Sequence, residues 1–421
     1  MRSSRASILL LAALHFCAHA DRALPAALAP VLRDRFALSD AEQGLLHGPA
    51  FILPFALGAA AIGALGARTD PRRLVVASVI AWTVAGLMSA AATSFDDLLL
   101  ARVALGIGQA GFAPAALALL SGFDRPATAI SSFTAGSAAG RSGGLLIAGL
   151  LLTLATGGTL VLAEPWRMAT LWLIVPNLAL LAMLLFDARS ADPPSAATRP
   201  HGTGGLRALA AHPRAFIAHV TGASAAVLIV QAGGAWASSI VHRGFAVEPG
   251  AAAALTGAVI LFTAPAGHLL AGRYDTERAG WAPGPMIAGG ATVAMAACLL
   301  LAVAPVLPIA LLAIGLLSIG GGFAAAAALI GLQPLVAPDD RLAVNAAYFA
   351  TVSLVGFGIG PLVTGVASDR LGGAGDSLAL ALAAVVAVAA VVAGAAALAG
   401  TRAWRHVVRT RAGGENTAMI A

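Results

Sequence analysis

The chain has 421 residues, of which 59% are hydrophobic and only 10% charged, and its mean hydropathy is +0.89. A soluble domain carries about a quarter of charged residues, so no water-facing surface can be built from this composition, and a polytopic membrane protein is the class that remains. The net charge of +6 comes from arginine, spread singly between apolar runs rather than gathered on one face, which excludes a nucleic-acid-binding domain.

Uncharged stretches of about 18 residues or more mark membrane-crossing helices. The first run, 6–31, is broken by Asp21 and Arg22. Arg2, Arg5 and Ala18-His19-Ala20 imitate a secretory signal here, but removing it would leave an odd number of spans, so the segment reads as a retained helix. Further runs follow at 44–66, 74–94, 98–120, 128–155 and 168–186. A Pro- and Gly-rich segment, 187–214, carries four arginines and reads as a cytoplasmic linker. The second group lies at 215–241, 249–271, 284–304, 307–334, 345–368 and 377–400, with a tail over 401–421. The expectation is an all-α integral membrane protein of about twelve helices, in two six-helix bundles (1–186 and 215–400) with pseudo-two-fold symmetry. Cys17 and Cys298 both lie in apolar runs and exclude a disulfide framework.

With the N-terminus inside, 17 of the 25 arginines fall in cytoplasmic loops, and only Arg33, Arg35, Arg167, Arg243 and Arg370 fall outside. The positive-inside rule therefore predicts both termini in the cytoplasm, in what reads as a bacterial inner membrane. The halves repeat one another. Arg68, Asp70 and Arg73 after the second span match Arg273, Asp275 and Arg278 after the eighth, and Ser137, Gly140 and Gly144 match Ser353, Gly356 and Gly360. Repeats of this kind place a substrate site between bundles, near the bilayer midplane.

Ala20-Asp21-Arg22, Leu38-Ser39-Asp40 and Gly44-Leu45-Leu46 before the second helix, Gly63 through Arg73, Arg102 through Ala110 with Pro114, Trp166-Arg167, Gln333 through Pro338, Arg341, and Gly356 through Pro361 together resemble the major facilitator superfamily, and within it the spinster-like carriers. The likeness covers nearly the whole chain. It implies alternating access and assigns gating roles to Arg68, Asp70, Arg72 and Arg73. Two positions depart from the pattern: the acidic residue usual in the loop signature is Ala67, and the fourth-helix Glu of the spinster-like group is Gln109.

Ionisable residues inside spans are costly and therefore candidates for function. Asp21 lies about 15 residues, or roughly 22 Å, into the first helix, in the half that Arg102 also enters. A carboxyl alternately paired with Arg102 and exposed would load and release a proton; a static ion pair fixing helix packing is the alternative. Arg22, about 100° away from Asp21 on the helix, is expected to snorkel outward or cap a neighbour. Arg141 lies near the middle of the fifth helix. Three guanidiniums against one carboxylate call for an anion, so the expected substrate is an organic anion or an amphiphile with an anionic head, unless Arg141 lies against backbone carbonyls. His15, His219, Gln109, Gln231, Gln333, Asn345 and Tyr348 are cavity-lining candidates, with interhelical hydrogen bonding as the plainer role. Gly140, Gly144, Gly356 and Gly360 suit close packing, and Pro361 a kink. Trp82, Trp166, Trp236, Trp281 and Trp404 are expected as interfacial anchors.

No metal-ligand cluster, catalytic triad spacing or phosphate loop appears, so neither a cofactor nor an enzyme is expected. The expected partners are a small-molecule substrate, protons and membrane lipid, with the protein acting as a monomer. Drug or metabolite efflux by antiport, and a membrane sensor or enzyme without transport, remain the alternatives.

Overall fold

The computed structural model describes residues 5–65, 70–121, 123, 126–158, 164–186, 212–273, 282–336, 341–373 and 376–420. Among them the chain is helical, without strands, and twelve helices are long and apolar enough to cross a membrane. They are spans 1 to 12, in order Arg5–Phe36, Asp40–Ile62, Pro71–Ala91, Phe95–Leu120, Thr128–Thr156, Pro165–Phe186, Pro213–Phe245, Pro249–Gly272, Pro283–Ala302, Leu307–Leu335, Ala347–Arg370 and Ser377–Arg411. Helices are what a lipid-facing backbone requires, because each then satisfies its own N–H and C=O groups. The last helix does not end near residue 400 but continues to Ile420.

Local chemistry sets the ends. Several spans begin at proline, whose missing N–H costs nothing in the first turn. Ser39 with Glu42, and Ser94 with Asp97, form reciprocal capping boxes at spans 2 and 4. Asp70 caps span 3 through the Arg72 N–H at 2.9 Å. Spans 1 and 7 both close on Phe-Ala with the alanine in the left-handed region, Ala37 at φ 52° and Ala246 at φ 51°. A shared strained alanine at matching points is a backbone imprint of the duplication.

The described residues form two compact units. Unit 1 draws on Met1–Thr198, Ala235–Leu261 and Gly365–Gly375; unit 2 draws on Arg199–Gly234, Phe262–Thr364 and Asp376–Ala421. Within unit 1, glycines let backbones meet. A Cβ on Gly136, Gly140 or Gly144 would lie 2.2 to 2.4 Å from the main chain of Ala12, Phe16 or Ala20, which is a ladder between spans 5 and 1. Gly149, Gly250 and Gly257 form a second seam, where added carbons would meet Ala254, Thr153 and Leu146 of the facing helix within 2.4 to 2.7 Å of a backbone nitrogen. Within unit 2, Gly290 and Gly320 pack against each other's carbonyls in the same way. Small-residue contacts of this kind drive helix association where lipid gives no hydrophobic push.

The tryptophans correct the anchor expectation. Trp82 and Trp236 are fully buried and Trp166 is 2% exposed, edge-on to Phe112, His47 and Phe36 respectively. Trp404 donates to the Gly331 carbonyl at 2.7 Å. Their bulk fills helix crossings instead of reaching the lipid interface. Trp281 lies outside the described residues.

Candidate functional site

The embedded charges of the first half come together in unit 1. Pro25 has no N–H, so the Asp21 carbonyl four residues earlier lacks its helical donor. Arg102 Nη1 lies 3.5 Å from that carbonyl, Nη2 lies 3.5 Å from the Arg22 carbonyl, and Nε donates to Leu46 O at 3.0 Å. Leu46 precedes Gly48-Pro49, where span 2 is interrupted between two helices. The Arg102 guanidinium, 4% exposed, thus serves three main-chain carbonyls, of which that of Asp21 is left over by Pro25.

The Asp21 carboxylate is held elsewhere. Its Oδ2 accepts from Asn177 Nδ2 of span 6 at 2.9 Å, and the ion pairs among the described residues do not include it. The expected Asp21–Arg102 contact therefore exists through backbone and not through the carboxyl. Arg22 also departs from expectation. Instead of snorkelling outward, it donates from Nε to Gln109 Oε1 at 2.6 Å and lies over the rings of Phe51 and Phe55 at 4.8 and 4.9 Å. Two ring faces one turn apart attract a guanidinium away from water. Gln109 in turn donates to Ala18 O at 3.0 Å. A neutral amide therefore sits where a carboxylate would have matched the Arg22 charge.

Arg141 is exposed and makes no hydrogen bond or ion pair to a described residue. It follows Gly140, which seats on Phe16 and His19 of span 1. The alternative in which backbone carbonyls absorb its charge is not realised. His15, 8% exposed, stacks on Phe133 with ring centroids 3.8 Å apart and places Nδ1 2.8 Å from the Phe133 carbonyl. A carbonyl can only accept, so that nitrogen carries the proton.

The other candidates belong to unit 2. His219 Nε2 lies 2.7 Å from the Ala328 carbonyl, the same use of an imidazole as at His15. Gln333 donates to Asn345 at 3.1 Å, Tyr348 is buried edge-on to Phe349, and Gln231 packs under Gly356. Gly356 and Gly360 seat on Val227 and Leu228 of span 7, and Pro361 lies inside the same helix. Of the loop residues, Asp70 caps span 3 and pairs with Arg73 at 3.6 Å, while Arg72 donates to Leu184 O at 3.0 Å. Arg68 lies outside the described residues.

Sequence reasoning missed three groups. Asn177 follows Pro176 in an otherwise apolar helix, and that isolated amide was the available signal. Asp40, fully buried, receives Arg33 at 2.5 Å, Arg243 at 2.6 Å and Ser368 at 2.6 Å. The sequence marks it as part of Leu38-Ser39-Asp40 but not as a charge centre, since of its partners only Arg33 is near and the other two lie about 200 and 330 residues away. Glu164 joins Arg35 at 2.6 Å and Arg167 at 2.9 Å, and these partners, Arg167 first, hold its carboxyl below the usual range.

The family model of the Major Facilitator Superfamily matches residues 11–361. An "MFS-type efflux pump" of Mycolicibacterium smegmatis is 29% identical over 120 residues, 28% of each chain. The "Probable sulfoacetate transporter SauU" of Cupriavidus necator is 29% identical over 103 residues, 24% of each. The chain thus spans about a quarter of the length of the curated relatives it matches. Among solved structures, a bacterial homologue of the human lysosomal transporter Spinster, inward-facing and unoccupied, aligns at TM-score 0.78 with 21% identity over 97% of this chain and 98% of that one. The nucleoside transporter NupG aligns at 0.71 with 14% identity, over 94% and 98%. At these identities the likeness shows the fold.

Proposed function

The chain belongs to the major facilitator superfamily, and from that premise we propose that it is a secondary transporter, working by alternating access, that moves an organic anion or an anionic amphiphile with protons. The observation that carries the substrate class is the uncompensated positive charge of unit 1: Arg141 exposed and without a partner among the described residues, and Arg22 facing the neutral Gln109. A planar guanidinium without a carboxylate partner is matched best by carboxylate, sulfonate or phosphate. Proton coupling rests on Asp21, whose carboxylate is held by a neutral amide and can take up a proton without an ion pair being lost. His15, His219, Gln231, Asn345 and Tyr348 contribute polar contacts, and the protein acts as a monomer in a bacterial inner membrane with both termini cytoplasmic.

The partial likeness to an efflux pump favours a second reading, export of a drug or metabolite by proton antiport. One experiment separates the two and tests the first. The protein is reconstituted in liposomes under a pH gradient and offered sulfoacetate, a lysophospholipid with a phosphate head, and the cation tetraphenylphosphonium. Transport of the anionic probes, lost in Arg141→Ala, supports the proposal. Transport of the cation at the same rate by wild type and Arg141→Ala, with the anionic probes not moved, overturns it.

A further inference from the structure

Span 12 does not stop where its apolar run stops. From Ser377 to Thr401 it carries no charge, about 36 Å of helix at 1.5 Å per residue, which crosses a hydrocarbon core of about 30 Å and brings the next turn out among the lipid headgroups. The same helix then carries Arg402, Arg405 and Arg409. At about 100° per residue these three fall within an arc of about 60°, one stripe along two turns. The other side of those turns is fixed to unit 2: Thr401, Trp404 and Val407 are buried, and Trp404 donates to the Gly331 carbonyl at 2.7 Å.

Span 7 adds a fourth arginine. A Cβ on Gly400 would meet the Ala218 side chain at 2.7 Å, and one on Gly222 would meet that of Ala397 at 3.3 Å, so spans 7 and 12 run antiparallel there. Ala215 and Trp404 line one small cavity, which sets Arg214 level with the stripe. All four arginines are exposed and have neither an ion pair nor a hydrogen bond to a described residue, whereas every ion pair among the described residues lies in unit 1. Arg402 and Arg405 are three residues apart and Arg405 and Arg409 four, the spacings at which like charges on a helix repel each other. The helix runs on to Ile420, so its C-terminal dipole is too far away to offset that repulsion. A rigid stripe that repels itself is matched by a surface of opposite charge laid along it. Its first turn already stands among headgroups, where a soluble acidic protein would first have to displace lipid.

We propose that Arg402, Arg405 and Arg409, with Arg214 beside them, form a docking site for the phosphate headgroups of anionic phospholipid, in the leaflet that the C-terminal end of span 12 enters. The guanidinium fork takes two phosphate oxygens at once, which a neutral or zwitterionic surface matches less well. Naming that leaflet the cytoplasmic one rests on the orientation proposed above; the docking does not.

The test uses the full chain, purified in a neutral detergent and titrated with phosphatidylglycerol, phosphatidylcholine, inorganic phosphate or polyglutamate while Tm is followed. Phosphatidylglycerol should raise Tm to a plateau, and the other three should not. Each arginine at an anionic surface contributes about a factor of five, so the combined variant Arg402→Gln, Arg405→Gln, Arg409→Gln should need about a hundredfold more phosphatidylglycerol for half of the rise. A control with Arg189→Gln, Arg199→Gln and Arg207→Gln removes the same charge elsewhere and should keep the wild-type midpoint. An unchanged midpoint in the stripe variant overturns the proposal, and so does an equal loss in both variants, which would mean bulk charge alone. A stripe-dependent rise with phosphate or polyglutamate in place of lipid means a soluble partner and also overturns it. Should the stripe variant fail to fold, Arg405→Gln alone decides, with a shift of about fivefold expected and no shift overturning the site. Thr410→Cys, in protein with Cys17 and Cys298 replaced by alanine, reads the side independently: modification by an impermeant thiol reagent from outside intact cells contradicts the orientation and leaves the docking standing.

Discussion

Asn177 Nδ2 holds the Asp21 carboxylate at 2.9 Å, while the guanidinium of Arg102 stops 3.5 Å from the main-chain oxygen of the same residue. The carboxyl is therefore tethered by a group that carries no charge, with a cation close by that is occupied by backbone. A hydrogen bond to a charged group contributes about 1.5–3 kcal/mol, so removing this donor leaves the carboxylate loosely placed. Asn177→Leu is expected to lower the initial rate of pH-gradient-driven uptake by about tenfold or more, with protein levels in the membrane unchanged.

Arg141 gives up no described partner when truncated, so Arg141→Ala should change stability by no more than about 0.5 kcal/mol. Affinity for an anionic probe should fall at least about tenfold, the scale of one charge-assisted hydrogen bond. Thermal unfolding of the purified protein, with and without sulfoacetate, reads both quantities in one experiment.

Gln109→Glu puts a carboxylate beside the Arg22 nitrogen that Gln109 Oε1 now receives at 2.6 Å. The change neutralises one of the three embedded cations and so should weaken anion binding, and it gives up the donor that Gln109 Nε2 offers the Ala18 carbonyl at 3.0 Å, so stability should fall by about 1–3 kcal/mol as well. Titration calorimetry on the two proteins checks it; tighter binding in Gln109→Glu would contradict the electrostatic account of Gln109.

Two glycines should respond oppositely to alanine. A Cβ on Gly144 would lie 2.4 Å from the Ala20 Cα, so Gly144→Ala must push spans 1 and 5 apart and should cost about 1–3 kcal/mol. Gly234, in span 7, has nothing within 4 Å, so Gly234→Ala should add helix stability of up to about 1 kcal/mol. Chemical denaturation in a fixed detergent orders the three proteins.

Glu164 carries the pH dependence that lies outside the spans. Its carboxyl is depressed in the folded protein by Arg167 and then Arg35, so its contribution to stability is present above the ordinary carboxylate range and disappears as pH falls through the folded value. Glu164→Gln should therefore unfold slightly earlier than wild type at about pH 7 and draw level with it as pH falls through the folded value, a small difference because the pair is exposed. Tm against pH for the two proteins tests this.

The architecture was legible because bilayer physics writes it into composition: uncharged runs give spans, and the repeated Arg-Asp-Arg spacing gives the duplication. The site was half legible. Asp21, Arg22 and Arg102 stand out by charge, but Arg102 finds carbonyls beside Pro25 and beside the break at Gly48-Pro49, and Arg22 finds the Gln109 side chain, acceptors that depend on which helices cross there. Arg22 turned inward because Phe51 and Phe55 present two ring faces, a contact no local pattern announces. Asp40 is different: the sequence names it within Leu38-Ser39-Asp40 without pointing to a charge centre, because only the fold brings Arg243 and Ser368 to it.

Proton coupling through Asp21 is tested most directly by comparing wild type and Asp21→Asn in liposomes, for uphill accumulation under a pH gradient and for exchange of labelled against unlabelled anion at equal pH. The neutral variant should exchange substrate yet fail to concentrate it. Accumulation at the wild-type level by Asp21→Asn would contradict the account.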